Sequence, residues 1–471
     1  MNHRQLWSAL LGLLPAFLCP TVAASAQQRP NVLILLTDDQ RWDALGCMGN
    51  RIVQTPEMDR LAVEGTLFTN AFATSSVCAA SRASISTGTY ERRHQCNFNT
   101  GCLKRSFLEK SYPVLLRRNG YYTGFIGKYG VGDGKREVEG PDLFDCWFGF
   151  YGQGEYFSKD RPGKHLNEVM VEQVRQFLDK VPADRPFCLS VSFKAPHSGK
   201  GYLGYEPEPV LRQLYADIAI PYPPTARKEY FDALPEFLRR SNARTSYWQQ
   251  RYSTAEQYQA VMKDYFRLIT GADRAIGRIR DTLRQRGLDT RTVILFLSDN
   301  GDMTSDYMLG GKELLYDVSL RVPLIVCDPR VEKSLRRQRR TELALNIDIA
   351  PTVLDLAGVP RPPTMQGRSL MPLVRGRQVA WRDDFFCENN FRVPEQYYPL
   401  MEGVRTTQWK YVRYPEINPV YEQLYDLTRD PLETRDLART PSSAEKLSQL
   451  RNRCEELRAE AGPSAASWRS R

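Results

Sequence analysis

Apolar residues run unbroken from Val32 to Leu36 and give way to Thr37-Asp38-Asp39, and the design recurs from Val293 to Leu297, ahead of Ser298-Asp299-Asn300-Gly301. A short continuous apolar run with a polar C-terminal end is the pattern of a central parallel strand buried on both faces. Residues 121–126, 187–193 and 323–327 are further strand candidates. Between them, residues 56–64, 80–87, 165–180 and 255–286 space their apolar positions at helical intervals. Strands alternating with helices predict an α/β fold with a large, mostly parallel central sheet flanked by helices. Around residues 361–363 and 376–377 the pattern loosens into Pro, Gly and Arg. Aromatic-rich alternating runs at 409–412 and 424–427 and a charged helix over about 443–460 then predict a smaller C-terminal α+β subdomain. The expected division is a leader over 1–26, a main body over 27–375 and the subdomain over 376–471.

Residues 6–18 are a short apolar run between Arg4 and Ala24-Ser25-Ala26, the three regions of a secretory signal peptide with its cleavage site. The run falls short of the ~20 apolar residues a spanning helix needs, and Pro15 and Pro20 interrupt it. An exported protein, periplasmic or secreted, with a mature chain from Gln27 and no stable membrane anchor is therefore expected. A chain of 471 residues with 42% hydrophobic and 25% charged residues is of globular, enzyme-sized makeup, which excludes collagen-like, coiled-coil and low-complexity readings. The net charge of +10 suits an anionic substrate such as a sulfated or uronic-acid polymer better than nucleic acid, which exported proteins seldom meet. Solubility alone would account for the same excess. Of the ten cysteines, Cys19 falls in the leader, and the others are too sparse for a disulfide scaffold. Cys96 and Cys102 could close a short loop, and the odd number remaining leaves one for other chemistry.

In α/β sheets, ligands bind beyond the carboxyl ends of the strands, so two acidic clusters at two strand ends can converge on one site. Asp38, Asp39, Asp299 and Asn300 are hard oxygen ligands suited to calcium or magnesium. Either pair alone would read as a turn; both pairs at strand ends favour a metal. Cys78 opens a run of small residues that can form a helix, placing it near a helix N-terminus where an anion is favoured, with Arg82 one turn on along the same face. Such a cysteine is expected to be a low-pKa nucleophile; the alternative is an ordinary buried cysteine. Among the four histidines, His197 follows a strand and a proline in a loop position, His165 reads as a surface residue at a helix start, and His94 is placed to line the pocket beyond the nucleophile helix.

Cys78-Ala79-Ala80-Ser81-Arg82 resembles the C-x-P/A-x-R signature of type I sulfatases, members of the alkaline-phosphatase-like superfamily whose cysteine is oxidised to formylglycine. Residues 31–39 resemble that family's opening strand with its Asp-Asp end, Gly127-Lys128 its "GK" element, and Ala195-Pro196-His197 its "PH" element. Ser298-Asp299-Asn300-Gly301 is similar to its second metal element, and Gly311-Lys312, Tyr316 and Arg321-Val322-Pro323-Leu324-Ile325 to its "GK…LY…RVPLI" run. Gly367-Arg368-Ser369-Leu370 and Leu424-Tyr425-Asp426-Leu427 with Asp430-Pro431 match later landmarks, so the likeness covers nearly all of the mature chain in order.

The resemblance implies a sulfuric ester hydrolase in which residue 78, as the aldehyde hydrate, offers one hydroxyl to attack sulfur and uses the second to expel sulfate. It implies that Asp38, Asp39, Asp299 and Asn300, with residue 78, hold a divalent ion, Ca2+ in most relatives. Arg82 and Lys128 would steady the hydrate and the developing charge, Lys312 and His197 would contact the sulfate, and His197 would be the general acid. Substrate binding is expected from His94, Lys128, His197 and Lys312. A sulfated glycan is the expected substrate, with Arg92, Arg93, Lys104, Arg105, Arg392 and Arg405 as candidate rim cations, and a formylglycine-generating or anaerobic maturating enzyme is the expected partner. Two positions depart from the pattern. Gly130 stands where the family usually has a histidine, leaving Tyr129, His94 or Asp299 as candidate proton acceptors, and Ala80 stands where proline is commoner. The other readings are a phosphodiesterase or phosphonate hydrolase of the same superfamily and a catalytically silent glycan-binding protein.

Overall fold

In the computed structural model, which describes residues 29–135, 140–199, 204–391 and 397–463, the first apolar run is strand β1 (Asn31–Asp38), buried along its whole length. The leader and Arg392 lie outside the described residues. Further strands follow in chain order: β2 (Thr66–Phe68), β3 (Ala71–Phe72), β4 (Tyr122–Lys128), β5 (Cys146–Phe150), β6 (Phe187–Pro196), β7 (Thr292–Ser298), β8 (Leu324–Cys327), β9 (Gln338–Arg340) and β10 (Ala344–Leu345). The main sheet has eight strands in the order β5-β4-β6-β1-β7-β8-β2-β9. Only β8 runs against its neighbours, pairing antiparallel with both β7 and β2. β3 and β10 form a separate parallel pair.

β1 explains the continuous apolar pattern. Leu33 and Leu35 point to one layer, built with the helices Pro56–Glu64, Leu166–Lys180 and Ala255–Gln285. Val32, Ile34 and Leu36 point to the other, with Tyr112–Arg118 and Ile349–Ala357. A strand covered on both faces has no polar side to show, which is why alternation is absent. Among the described residues no helix is long and apolar enough to cross a membrane.

Past the main body, β11 (Asp384–Asn389), β12 (Met401–Thr406), β13 (Trp409–Tyr414) and β14 (Tyr421–Asp426) make a four-stranded antiparallel sheet. The helix Ala444–Ala461 packs on one face through Leu450, Cys454 and Leu457 against Phe386, Val404, Tyr411 and Leu424. The other face meets Phe72, Leu314, Leu315 and Tyr316 of the main body. At that junction the buried Lys410 Nζ reaches Asp317 Oδ1 at 2.5 Å, Glu433 Oε1 at 2.6 Å and the Leu315 carbonyl at 2.9 Å. Arg405 Nη2 adds a contact to Asp317 Oδ2 at 3.1 Å. A buried ammonium satisfied on three sides fixes geometry more than it adds stability, and here it ties down the segment that follows Lys312.

Candidate active site

The parallel register delivers several chain segments to one edge of the sheet. Thr37 pairs with Ser298 across β1 and β7, and Asp38 pairs with Pro196 across β1 and β6. Asp38 and Asp39, Asp299 and Asn300, and His197 therefore leave the sheet side by side, beyond the strand ends where such folds bind ligands. Lys128 is the last residue of β4, next to β6. Asp39 takes a left-handed backbone, φ 66°, tolerated by aspartate and common where a functional side chain is re-aimed.

The helix Cys78–Thr87 supplies the other wall. It is buried over nearly its whole length because its residues are small: Ala79, Ala80, Ser81, Ala83 and Ser84 let backbone approach backbone. Among the described residues no side chain caps its N-terminus, so its first N–H groups are left for the site or a ligand. Ser81 Oγ donates to the Asp299 carbonyl at 2.5 Å and accepts from Asn346 Nδ2 at 2.9 Å, which sets the helix against the β7 end.

Three cations meet the acids. Lys128 Nζ lies 2.5 Å from Asp38 Oδ2 and 3.8 Å from Cys78 Sγ. Arg82 donates from Nε to Asp299 Oδ2 at 2.8 Å and from Nη1 to the Lys128 carbonyl at 2.8 Å and Ser192 Oγ at 2.5 Å. Its Nη2 stands 3.6 Å from Asp38 Oδ2 and has no hydrogen-bond partner among the described residues. Lys312 Nζ donates to Asp39 Oδ1 and lies 3.9 Å from Asp38 Oδ1. His197 Nε2 is 3.7 Å from Asp39 Oδ2.

Burial works against every charge here, and the cations decide the outcome. Burial alone would lift the Asp38 carboxyl, but Lys128, His197, Arg82 and Lys312 together hold it well below the usual range. Asp299 is pushed up to about 6, by burial and then by Asp38, against Arg82. The Cys78 thiol is raised, because burial outweighs the pull of Lys128 and Lys312. The expectation of a low-pKa thiol is thus overturned: the helix N-terminus and lysines are present, but the sulfur is almost wholly removed from water. Burial also pushes His197 down to about 3, against the pull of Asp38 and Asp39.

The oxygen donors fit a hard divalent cation. Asp38 Oδ1 and Asn300 Oδ1 are buried with no hydrogen-bond partner among the described residues, a costly state unless something else binds them. One ligand atom each from Asp38, Asp39 and His197 lie within 4.8 Å of one another. Asp299 is more committed, with Oδ1 accepting from the Asp39 and Asn300 N–H groups at 3.1 and 2.8 Å and Oδ2 accepting from Arg82.

The structure brings Cys78, Arg82, Lys128, His197, Lys312, Asp38, Asp39, Asp299 and Asn300 together, but not His94. That ring is fully buried behind the Cys78 helix, with Nε2 3.0 Å from Ser84 Oγ and Nδ1 accepting the Cys96 N–H at 3.0 Å. The pocket-lining expectation for His94 is corrected on those contacts. His165 is likewise no surface residue. It caps the helix Leu166–Lys180 through Nδ1, places Nε2 3.1 Å from the Glu206 carbonyl and stacks on Tyr156 at 5.1 Å. Two of the candidate rim cations are interior: Arg92 is paired with Glu388 and Glu402, and Arg405 with Asp317. The sequence carried no signal for Gln153, whose Oε1 accepts from Lys128 Nζ at 2.7 Å, or for Ser192 on Arg82.

At Gly130 the backbone is left-handed, φ 75°, and a Cβ would stand 2.5 Å from Arg82 Cδ. Arg82 occupies the space that a side chain at 130 would need. The Tyr129 ring packs among Phe125, Trp147 and Tyr151, so of the three candidate proton acceptors Asp299 is the one in contact with Arg82 and Asp39.

Comparison with known proteins agrees in extent with this geometry. The family profile described as Sulfatase matches residues 30–359, and the one described as N-sulphoglucosamine sulphohydrolase, C-terminal, matches 306–460. The N-acetylglucosamine-6-O-sulfatase of Bacteroides thetaiotaomicron is 26% identical over 93% of this chain and 88% of its own. The choline-sulfatase of Rhizobium meliloti is 29% identical over 88% of this chain and 83% of its own. A solved structure in complex with its substrate D-glucosamine-2-N,6-O-disulfate superposes with a TM-score of 0.78 at 25% identity, covering 92% of this chain and 98% of that one. The phosphonate monoester hydrolase of Agrobacterium radiobacter shares the fold, with a TM-score of 0.74 at 23% identity over 92% of this chain and 96% of its own.

Proposed function

Since the chain belongs to the sulfatase family and is a sulfuric ester hydrolase, we propose that its substrate is a sulfate ester on a carbohydrate, of the glucosamine-sulfate kind. The observation that carries this reading is the relative named N-acetylglucosamine-6-O-sulfatase, matched over 88% of its own length, together with the solved neighbour bound to a glucosamine disulfate. Export through the leader over 1–26 suits such a substrate, and N-terminal sequencing that starts at Gln27 would test it. Formylglycine made from Cys78 by a maturation enzyme would supply, as its hydrate, the attacking oxygen. A divalent ion, Ca2+ on the hard-donor argument, would be held by Asp38, Asp39, Asp299 and Asn300 and would polarise the sulfate.

The chain's own groups do the rest. Lys128 faces residue 78 and Arg82 is held on Asp299 one helical turn on, so that both would place positive charge where the hydrate and sulfate oxygens gather. Lys312, from the loop anchored by Lys410, rests its charge on Asp39. His197 keeps Nδ1 on the Ser198 carbonyl at 2.8 Å, so Nε2 is the atom turned to the site. Burial disfavours the charged form of the ring, an arriving sulfate anion favours it, and the protonated ring then serves the leaving oxygen.

Sulfate release from glucosamine 6-sulfate, measured beside release from choline sulfate and phosphate release from an aryl phosphonate, tests the reading. Faster phosphonate turnover would move the chain to the hydrolases of phosphorus esters, and tight glycan binding without sulfate release from aldehyde-bearing protein would make it a silent binder. In His197→Ala, kcat on a sugar sulfate is expected to fall about 100-fold or more, while an activated aryl sulfate, whose leaving group needs no proton, loses less than about tenfold. Equal losses would remove His197 as the acid. Gly130→His, which restores the family's usual residue, is expected to lower activity at least about tenfold rather than raise it, because the new side chain displaces Arg82 from Asp299. Unchanged or higher kcat in that variant would refute the steric argument.

A further inference from the structure

Lys194 is a buried ammonium to which the chemistry above gives no part. It lies in β6, three residues ahead of His197, and is fully buried. Burying a lysine is costly unless its charge is compensated, and burial pushes this one down to about 8, with Asp38 and Asp39 pulling up and Lys128 and Lys312 pushing down. An apolar residue would fill a strand interior at less cost, so what the ammonium touches is informative.

Its Nζ donates to the Ser198 carbonyl at 2.7 Å and sits 5.1 Å above the Tyr156 ring. The same carbonyl faces His197 Nδ1 at 2.8 Å. The Tyr156 hydroxyl donates to the His197 carbonyl at 2.6 Å, and Arg251 Nη2 donates to Ser198 Oγ at 3.0 Å. Both carbonyls and the hydroxyl of this dipeptide are therefore held by side chains from three separate segments. Tyr156 is itself braced by the stacked His165, which gives that buried histidine a place in the arrangement. A carbonyl oxygen accepts along two directions. Here one is filled by Lys194, and the other obliges His197 Nδ1 to carry its proton.

We propose that Lys194 is a positioning residue for His197, holding the Ser198 carbonyl so that the imidazole keeps one proton on Nδ1, leaving Nε2 as the nitrogen that takes up a second proton and gives it to the leaving oxygen. This rests on the reading of His197 as the proton donor. Without the ammonium the carbonyl is free to turn and the ring to flip, exchanging the two nitrogens.

The test uses the full mature chain with two volume-conserving variants, Lys194→Met and Tyr156→Phe. Imidazole 15N–1H correlation spectra, simple to assign with four histidines in the whole sequence, read the tautomer directly. Wild type is expected to show His197 protonated on Nδ1 and Lys194→Met a mixture of tautomers. In the same variant kcat on a sugar sulfate is expected to fall about 10- to 100-fold and that on an activated aryl sulfate less than about threefold. Tyr156→Phe, which keeps the ring and loses one hydrogen bond, shifts both readouts in the same direction by less. An Nδ1–H tautomer retained in Lys194→Met, or equal losses on both substrates, overturns the proposal. If Lys194→Met does not fold, Tyr156→Phe decides alone, and the absence of any leaving-group-selective loss in it is the refuting result. His197→Ala separates the two readings: equal losses there refute the proton donor, while the spectra still report whether Lys194 holds the ring.

Discussion

Cys78→Ala is expected to abolish sulfate-ester turnover, at least about ten-thousand-fold in kcat, because it removes the atom from which the nucleophile is made. The fold is expected to survive. Cys78 sits in the first turn of a helix already rich in alanine, where alanine is the most favourable residue. It has no disulfide partner among the described residues, so the variant loses one buried sulfur and about 1 kcal/mol of packing. Lys128, 3.8 Å from the sulfur, keeps its bonds to Asp38 and Gln153. The measurements are sulfate release on sugar and aryl sulfates and a thermal melt. Turnover surviving in an intact protein would refute the nucleophile. Mass analysis of the tryptic peptide over 61–82, in which Cys78 is the only cysteine, belongs beside it. In protein from a host with a maturation enzyme, that peptide is expected to carry oxygen in place of sulfur with two hydrogens fewer. An unmodified thiol there would move the reading toward the phosphorus-ester and silent alternatives.

What the chain revealed before its structure follows from how local each signal is. β1 and β7 were legible because a strand covered on both faces must be apolar throughout, and Pro56–Glu64 because its apolar residues repeat at helical spacing. β2 and β9 were not, since three residues carry no period. The antiparallel direction of β8 lies in its pairing rather than in its apolar run. The acids at the strand ends were legible as a site because parallel register fixes where those ends meet. Nearness in sequence to Cys78 does not say on which side of the helix His94 lies, and its ring packs behind, on Ser84 Oγ and the Cys96 N–H. Arg92 and Arg405 read as surface cations since arginine is seldom buried unpaired. Their partners, Glu388 and Glu402 for one and Asp317 for the other, are distant in sequence and cannot be inferred from local pattern. Lys194 carries no local signal for the same reason: its meaning lies in the peptide that it holds.

The second large effect is expected at Asp38. Asp38→Asn keeps the shape and deletes the charge at the one residue that faces all three cations, Lys128 at 2.5 Å, Arg82 at 3.6 Å and Lys312 at 3.9 Å. Breaking one side of a buried ion pair costs about 3–5 kcal/mol, because the charges left behind remain out of water, so a clear drop in melting temperature is expected. Catalysis is expected to fall further, about a thousandfold or more, since the same substitution takes the negative charge from a carboxylate whose Oδ1 is buried without a hydrogen-bond partner among the described residues and is offered to a divalent ion. Elemental analysis separates the two effects. Wild-type protein treated with a chelator keeps its carboxylate and should regain activity when calcium is returned, whereas Asp38→Asn should hold little metal and stay inactive in excess calcium. A variant that binds metal and turns over at the wild-type rate would take Asp38 out of the donor set. It would also mean that Lys128, Arg82 and Lys312 gather at this strand end for the sulfate alone.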